Sequence, residues 1–206
     1  VNQIGDWVLE SVCRQWAAWE HADLHPPVVS VNLSSRQVSD STLPARIAEL
    51  RRLHRMPASA LRLEIHERTL LEHPDEARTL SLALAEQGVA VAIDNFGVAF
   101  STLAVLRSLK LTHLKIDRSL IRAMASNAGS LAIIKGTVSL AHTLGLQVMA
   151  EGVETVEQFE LLREKWCDEL QGHLLGPALP GADAEIFMRP RGHELIAERL
   201  HLPLPA

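Results

Sequence analysis

Short apolar runs alternate along the chain with stretches whose apolar residues return every three or four positions. That rhythm predicts strands separated by amphipathic helices. Residues 4–19 read as a helix carried by Ile4, Trp7, Val8, Val12, Trp16 and Trp19. After the Pro26-Pro27 break, residues 28–33 form a β-branched run, predicted as a strand ending at Asn32. A helix over 43–53 stops before Pro57, and a strand over 61–67 follows. The helix predicted over 75–86 closes at Gly88, a residue suited to the left-handed turn after a helix, and leads into a strand over 89–95. The pattern then gives helix 101–109, strand 113–117, helix 130–144 ended by Gly145, strand 147–151, helix 156–166 and strand 169–175. Pro177, Pro180 and Gly181 make a loop, and the tail to residue 206 carries one or two short helical turns.

Six strands with helices between them are the signature of a parallel α/β sheet. A closed (β/α)₈ barrel needs eight, so the count falls short by two strands on the N-terminal side. The strand at Val28 is therefore expected to present an unpaired edge, and we expect a longer parent chain or pairing across that edge. At 206 residues and 47% hydrophobic content, residues 1–206 are read as one domain with a substantial core. The 20 basic residues are outnumbered by 25 acidic ones, which argues against a polymeric nucleic-acid partner but allows a local pocket for a small anion. Cys13 and Cys167 lie far apart with no zinc-like spacing and read as free thiols in a reducing compartment. No apolar run has the length of a membrane span, so a cytoplasmic location is the expectation.

In a parallel barrel the C-terminal strand ends converge on one face. The polar residues at those ends are Asn32, Glu64, Asp94, Asn95, Lys115, Asp117, Glu151 and Gln171. Such an oxygen-rich set suits Mg²⁺ or Mn²⁺. Lys115 and Asp117, two apart on one strand, share a face; the lysine is read either as a protonated partner of the carboxylates or as a base. Each residue alone has a plainer reading as a helix cap or a solvated strand end, and Lys115 with Asp117 as a structural ion pair. His66, between Glu64 and Glu67, reads as a hydrogen-bonded strand-end residue rather than a metal ligand, and the four Trp as packing residues. The recurrence at successive strand ends is what favours a site.

The motifs Val31-Asn32-Leu33-Ser34, Leu63-Glu64-Ile65-His66-Glu67, Asp94-Asn95-Phe96-Gly97, Leu114-Lys115-Ile116-Asp117-Arg118-Ser119, Ala150-Glu151-Gly152-Val153-Glu154-Thr155 and Gln171-Gly172 occur in that order. Together they resemble the EAL-type cyclic di-GMP phosphodiesterase domain from about residue 4 to residue 179. The resemblance implies a TIM-like barrel and metal-assisted hydrolysis of cyclic di-GMP to the linear dinucleotide. It implies Asn32, Glu64 and Asp94 as ligands of one Mg²⁺ or Mn²⁺, and Asp94, Asn95 and Glu151 as ligands of a second. It assigns Lys115 to the attacking water, Asp117 to its support and Glu67 to the loop after Asn95. Gln171 and Glu154 fall on the dinucleotide side.

The sequence also departs from that family. Its name-giving Glu-Ala-Leu and a downstream Arg-Trp are not among these residues, and the two uncounted strands correspond to its first two. Asn95 stands where the family has a second Asp, and Val98-Ala99-Phe100 replaces Thr-Gly-Tyr. Where the family continues past Gln171-Gly172 with Tyr and then Arg-Pro, this chain has His173 and Pro177-Ala178. Two-metal sites depend on summed carboxylate charge, so these changes weaken both cation positions. The expectation is a degenerate domain with absent or weak hydrolysis, acting as a regulatory, dinucleotide-sensing or interaction module, with cyclic di-GMP and a protein partner or second copy as candidate ligands. An active phosphodiesterase completed by an upstream segment is the alternative. A barrel enzyme using Lys115 and Asp117 for enolisation is more distant, because it leaves Asn32 and Gln171 unexplained.

Overall fold

The computed structural model of the chain describes residues 2–98, 103–165 and 167–200. Helix α1 (Asn2–His21) leads into β1 (Val29–Leu33), α2 (Ser35–Val38), α3 (Leu43–Leu53), β2 (Leu61–His66), α4 (Glu67–Glu72), α5 (Pro74–Glu86) and β3 (Ala90–Phe96). There follow α6 (Leu103–Ser108), β4 (His113–Ile116), α7 (Arg118–Ala123), α8 (Ala128–Thr143), β5 (Gln147–Glu151), α9 (Val156–Glu164), β6 (Glu169–Gln171), α10 (Gly181–Met188) and α11 (Pro190–Leu200). The six strands form one sheet in the order β1-β2-β3-β4-β5-β6, every pair parallel. This is the α/β architecture the hydrophobic rhythm predicts, curled into an open half-barrel.

Strand alternation sorts the core into two layers. Leu61, Leu63 and Ile65 of β2, Val91 and Ile93 of β3, and Leu114 and Ile116 of β4 are all fully buried beneath the helices. The intervening positions, Arg62, Glu64, Ala92, Asp94, His113 and Lys115, are also buried, but they face the inside of the curve. A sheet covered on both faces therefore carries its polar groups on the concave side, where they pair with one another.

Several boundaries differ from the sequence reading. The last strand ends at Gln171 rather than 175, because Gly172 turns the chain sharply against Val153, leaving no room for even a Cβ. Glu67 opens α4 instead of ending β2. Helices α2, α4 and α7 were not expected; four to six residues are too few to display a helical period. The face that α1 buries is carried by Leu9, Cys13 and Trp16, whereas Ile4 and Trp7 stay exposed, so Trp7 is not the packing residue expected of it. Trp16 and Trp19 are buried as expected. Ala99, Phe100, Ser101, Thr102, Trp166 and the tail after Leu200 lie outside the described residues.

Among the described residues, β1 pairs only with β2 and β6 only with β5, so both ends of the sheet keep an open side. Helices bridge the seam: the Trp19 indole Nε1 donates to the Gly181 carbonyl at 3.1 Å, tying the end of α1 to the start of α10. No helix among the described residues is long and apolar enough to cross a membrane.

Candidate functional site

Parallel register brings the strand ends to one level. Asn32 lies opposite Glu64, His66 opposite Asp94, and Glu151 opposite Gln171. These residues, with Ser30, Asn95, Lys115, Asp117 and Arg118, line a cleft of about 420 Å³ at the C-terminal mouth of the half-barrel. All eight strand-end residues singled out in the sequence thus share one cavity. Ser30 and Arg118 were not singled out as site residues, although Arg118 stands inside the motif Leu114-Lys115-Ile116-Asp117-Arg118-Ser119.

Lys115 occupies the centre. Its Nζ donates to Glu64 Oε2 at 2.6 Å and lies 3.4 Å from Asp94 Oδ1 and 3.8 Å from Glu151 Oε2. Burial alone lowers an ammonium pKa. Here the hydrogen bond and charge of Glu64, with the charges of Asp94 and Glu151, outweigh that effect and leave Lys115 raised. These carboxylates hold the side chain as a cationic hydrogen-bond donor at neutral pH. Glu64 and Asp94 are almost wholly buried, yet Glu64 Oε1 and Asp94 Oδ1 accept no hydrogen bond. Asp94 Oδ1 has the Lys115 charge at 3.4 Å, and both oxygens keep room for one further hydrogen-bond donor or cation.

Strand β3 is irregular at the centre of the site. Its register with β4 shifts between Ile93 and Phe96, and Asn95 adopts φ 55°, a left-handed conformation that Asn tolerates better than most residues. Such a bulge beside a site re-aims side chains. The Asn95 amide is turned to His66, with Nδ2 3.3 Å from Nε2 and 3.5 Å from Nδ1. Immediately beyond, Glu67 Oε2 accepts the backbone N–H of Gly97 at 3.2 Å and of Val98 at 3.1 Å, anchoring the loop to α4.

Asp117 takes the capping role that the plainer reading allowed. Its carboxylate accepts from Ser119 N at 2.8 Å and from the Ser119 hydroxyl, and so caps α7. Lys115 pairs with Glu64, Asp94 and Glu151 instead. Gln171 is fixed by its backbone, where the carbonyl accepts from Gly152 N at 2.8 Å and Val153 N at 3.0 Å. Glu154 sits apart from the cleft lining and pairs with Arg122 at 3.3 Å.

Two residues below this layer lies another that the sequence did not reveal. Arg62 stands beneath Glu64, His113 beneath Lys115 and Glu169 beneath Gln171. The Arg62 guanidinium donates to Glu169 Oε2 at 2.6 Å and Oε1 at 2.7 Å, while His113 Nε2 lies 3.6 Å from Oε1. His113 and Arg62 together hold the Glu169 carboxyl down to about 2.

Fold and mouth together define a parallel α/β half-barrel domain whose strand ends gather carboxylates around one lysine. The chain belongs to the EAL domain family, whose model matches residues 1–178. It is 38% identical over 183 residues to the bifunctional diguanylate cyclase/cyclic di-GMP phosphodiesterase MucR of Pseudomonas aeruginosa, covering 87% of this chain and 26% of that protein. The solved MucR phosphodiesterase in complex with cyclic di-GMP superposes with a TM-score of 0.84 at 36% identity, over 88% of this chain and 73% of that one. The EAL domain of Mycobacterium smegmatis DcpA gives a TM-score of 0.85 at 32% identity, over 91% and 84%. The chain spans about a quarter of the length of the curated relatives it matches.

Proposed function

We propose that this is a cyclic di-GMP signalling domain, with residues 1–206 forming one unit, in which hydrolysis is absent or weak and the mouth serves dinucleotide sensing or regulation. The observation that carries the reading is the pairing of Asp94 with Asn95 at the bulge of β3. The position next to the buried aspartate offers a neutral amide turned toward His66.

The residues present fit a divalent cation chemically, since Glu64 and Asp94 carry buried oxygens without hydrogen-bond partners beside Asn32, Asn95 and Glu151. Among the described residues, however, no three His, Cys, Asp or Glu side chains form a ready-made cation cage. A bound Mg²⁺ or Mn²⁺ would supply Lewis-acid activation of a water. In the chain itself, Asn32, Glu64 and Asp94 would hold one cation, and Asp94, Asn95 and Glu151 a second. Lys115, held beside Glu64, Asp94 and Glu151, would orient an anionic oxygen or a water by donation. Asp117 would set the start of α7 and Glu67 the loop after Asn95. Gln171 and Arg118 at the rim, with Glu154 farther out, would face the dinucleotide.

A second reading, an active phosphodiesterase, is favoured by the convergence of Glu64, Asp94, Lys115 and Glu151. Calorimetric titration with cyclic di-GMP in the presence of Mn²⁺, followed by chromatography of the mixture, separates the two. Binding without linear dinucleotide is the expected result. Multiple turnovers to the linear product would establish the second reading, and no binding at millimolar ligand would leave an interaction module.

A further inference from the structure

We propose that Arg118 is the phosphate anchor of the mouth, its guanidinium holding a phosphodiester of the bound dinucleotide directly, with no metal ion between them. The inference rests on the reading that this mouth takes cyclic di-GMP, and it names the side chain that meets the ligand's charge.

The cleft is lined by four carboxylates, Glu64, Asp94, Asp117 and Glu151, against two cations, Lys115 and Arg118. A phosphodiester anion entering such a cleft needs a positive group within reach. Lys115 is not available for that. It is 4% exposed and has Glu64, Asp94 and Glu151 within 3.8 Å. Turning it toward a phosphate would leave buried carboxylates without their counter-charge.

Arg118 differs on each count. It is exposed at the rim, and it makes no ion pair or hydrogen bond through its side chain among the described residues. The carboxylate next to it is already used, because Asp117 accepts from the N–H and hydroxyl of Ser119. Arg122, one turn along α7, is the contrast: it pairs with Glu154 at 3.3 Å, outside the cleft lining. The root of Arg118 is also fixed. A Cβ at Gly152, directly after Glu151, would come within 2.7 Å of Arg118 Cβ, so the backbone leaving β5 packs against the base of the arginine. A solvated rim arginine accounts for the exposure. It does not account for a guanidinium that stays unpaired in a cleft holding four carboxylates, on a stem seated against backbone.

The chemistry selects the ligand group. A guanidinium presents parallel N–H donors in a fixed fork, and a phosphodiester offers two non-bridging oxygens that share one negative charge. An ammonium at the same place supplies charge without the fork.

The test is calorimetric titration of the whole chain with cyclic di-GMP in a chelator, repeated over a range of salt concentrations, for the parent, Arg118→Gln and Arg118→Lys. Expected are binding by the parent without divalent cations and about tenfold weaker binding by Arg118→Gln, with a shallower dependence on salt. Arg118→Lys should lose less, about threefold, and keep the parent's salt dependence. Urea midpoints equal to that of the parent establish that both variants fold. Equal affinity and salt dependence in the parent and Arg118→Gln overturn the inference while leaving the dinucleotide reading in place. Equal losses in both variants with an unchanged salt dependence overturn it too, since they report the packing of the stem on Gly152 and not the charge. Binding by the parent only when Mn²⁺ is added overturns the metal-free contact, and no binding with or without Mn²⁺ overturns the dinucleotide reading as well.

Discussion

Arg62 of β2 and Glu169 of β6 are 107 positions apart in sequence, yet they meet inside the curl through two charge-assisted hydrogen bonds of 2.6 and 2.7 Å. The pair bridges strands separated by three others and lies directly under Glu64 and Gln171, so it fixes the distance between the two flanks of the mouth. Arg62 is 5% exposed, whereas a third of the Glu169 side chain reaches solvent. Removing the acid therefore strands a buried guanidinium. Glu169→Gln is expected to cost about 3 kcal/mol in urea unfolding. The double variant Arg62→Met/Glu169→Leu, which removes both charges, should fall within about 1 kcal/mol of the parent. Equal losses in the two proteins would show that packing, not the ion pair, holds the flanks.

The same pair predicts an acid limit. Glu169 titrates near 2 in the fold and near 4.3 when unfolded, so the unfolded chain binds the proton first as pH falls. Its contribution is present above about pH 4.3 and is lost as pH falls through about 2. Linkage alone gives about 3 kcal/mol, and partial exposure reduces this to about half. The stability difference between the parent and Glu169→Gln, followed by urea unfolding from about pH 6 to pH 2, should narrow by about half as the acid limit is reached. A constant difference across that range would refute the assignment.

Much of the fold was legible in the sequence because β-branched runs of strand length alternated with three-to-four-residue periods. The mouth was legible for a related reason: parallel strands align their C-terminal ends, so Asn32, Glu64, Asp94, Lys115 and Glu151 had to share a face. What stayed hidden depends on curvature or on short range. The ion pair of Arg62 with Glu169 needs the sheet to curl, although a charged residue inside Leu61-Arg62-Leu63 was a hint of an inward polar partner. The short helices α2, α4 and α7 carry no measurable period. The cap at Asp117 was among the plainer readings of a strand-end carboxylate, and the box of Ser34 with Gln37 could have been found from residue type alone.

Gly172 is where the end of β6 depends on the absence of a side chain. A Cβ there would come within 2.1 Å of the Val153 carbonyl oxygen and 2.3 Å of its nitrogen, both backbone atoms that cannot swing aside. Gly172→Ala should destabilise by at least about 2 kcal/mol and move Gln171 away from the mouth, weakening any dinucleotide binding. Gly136 in α8 is the contrast. A Cβ added there would meet nothing within 4 Å, so Gly136→Ala should stabilise by about 0.5–1 kcal/mol. Urea unfolding of both variants tests the ranking.

Lys115 is the cation that keeps Glu64 and Asp94 tolerable inside the barrel, with contacts of 2.6 and 3.4 Å. Lys115→Met leaves those two carboxylates buried without a positive partner, and breaking a buried pair in this way costs about 3–5 kcal/mol. The loss should be largest in the presence of a chelator. A divalent cation able to enter the vacated centre binds only the folded state there, and at a hundredfold excess over its dissociation constant it returns about 2.7 kcal/mol. Thermal unfolding of the variant should therefore rise steeply with Mn²⁺, while the parent, whose centre is filled by the ammonium, responds less. An equal Mn²⁺ response in parent and variant would mean that the lysine and the cation do not compete for Glu64 and Asp94.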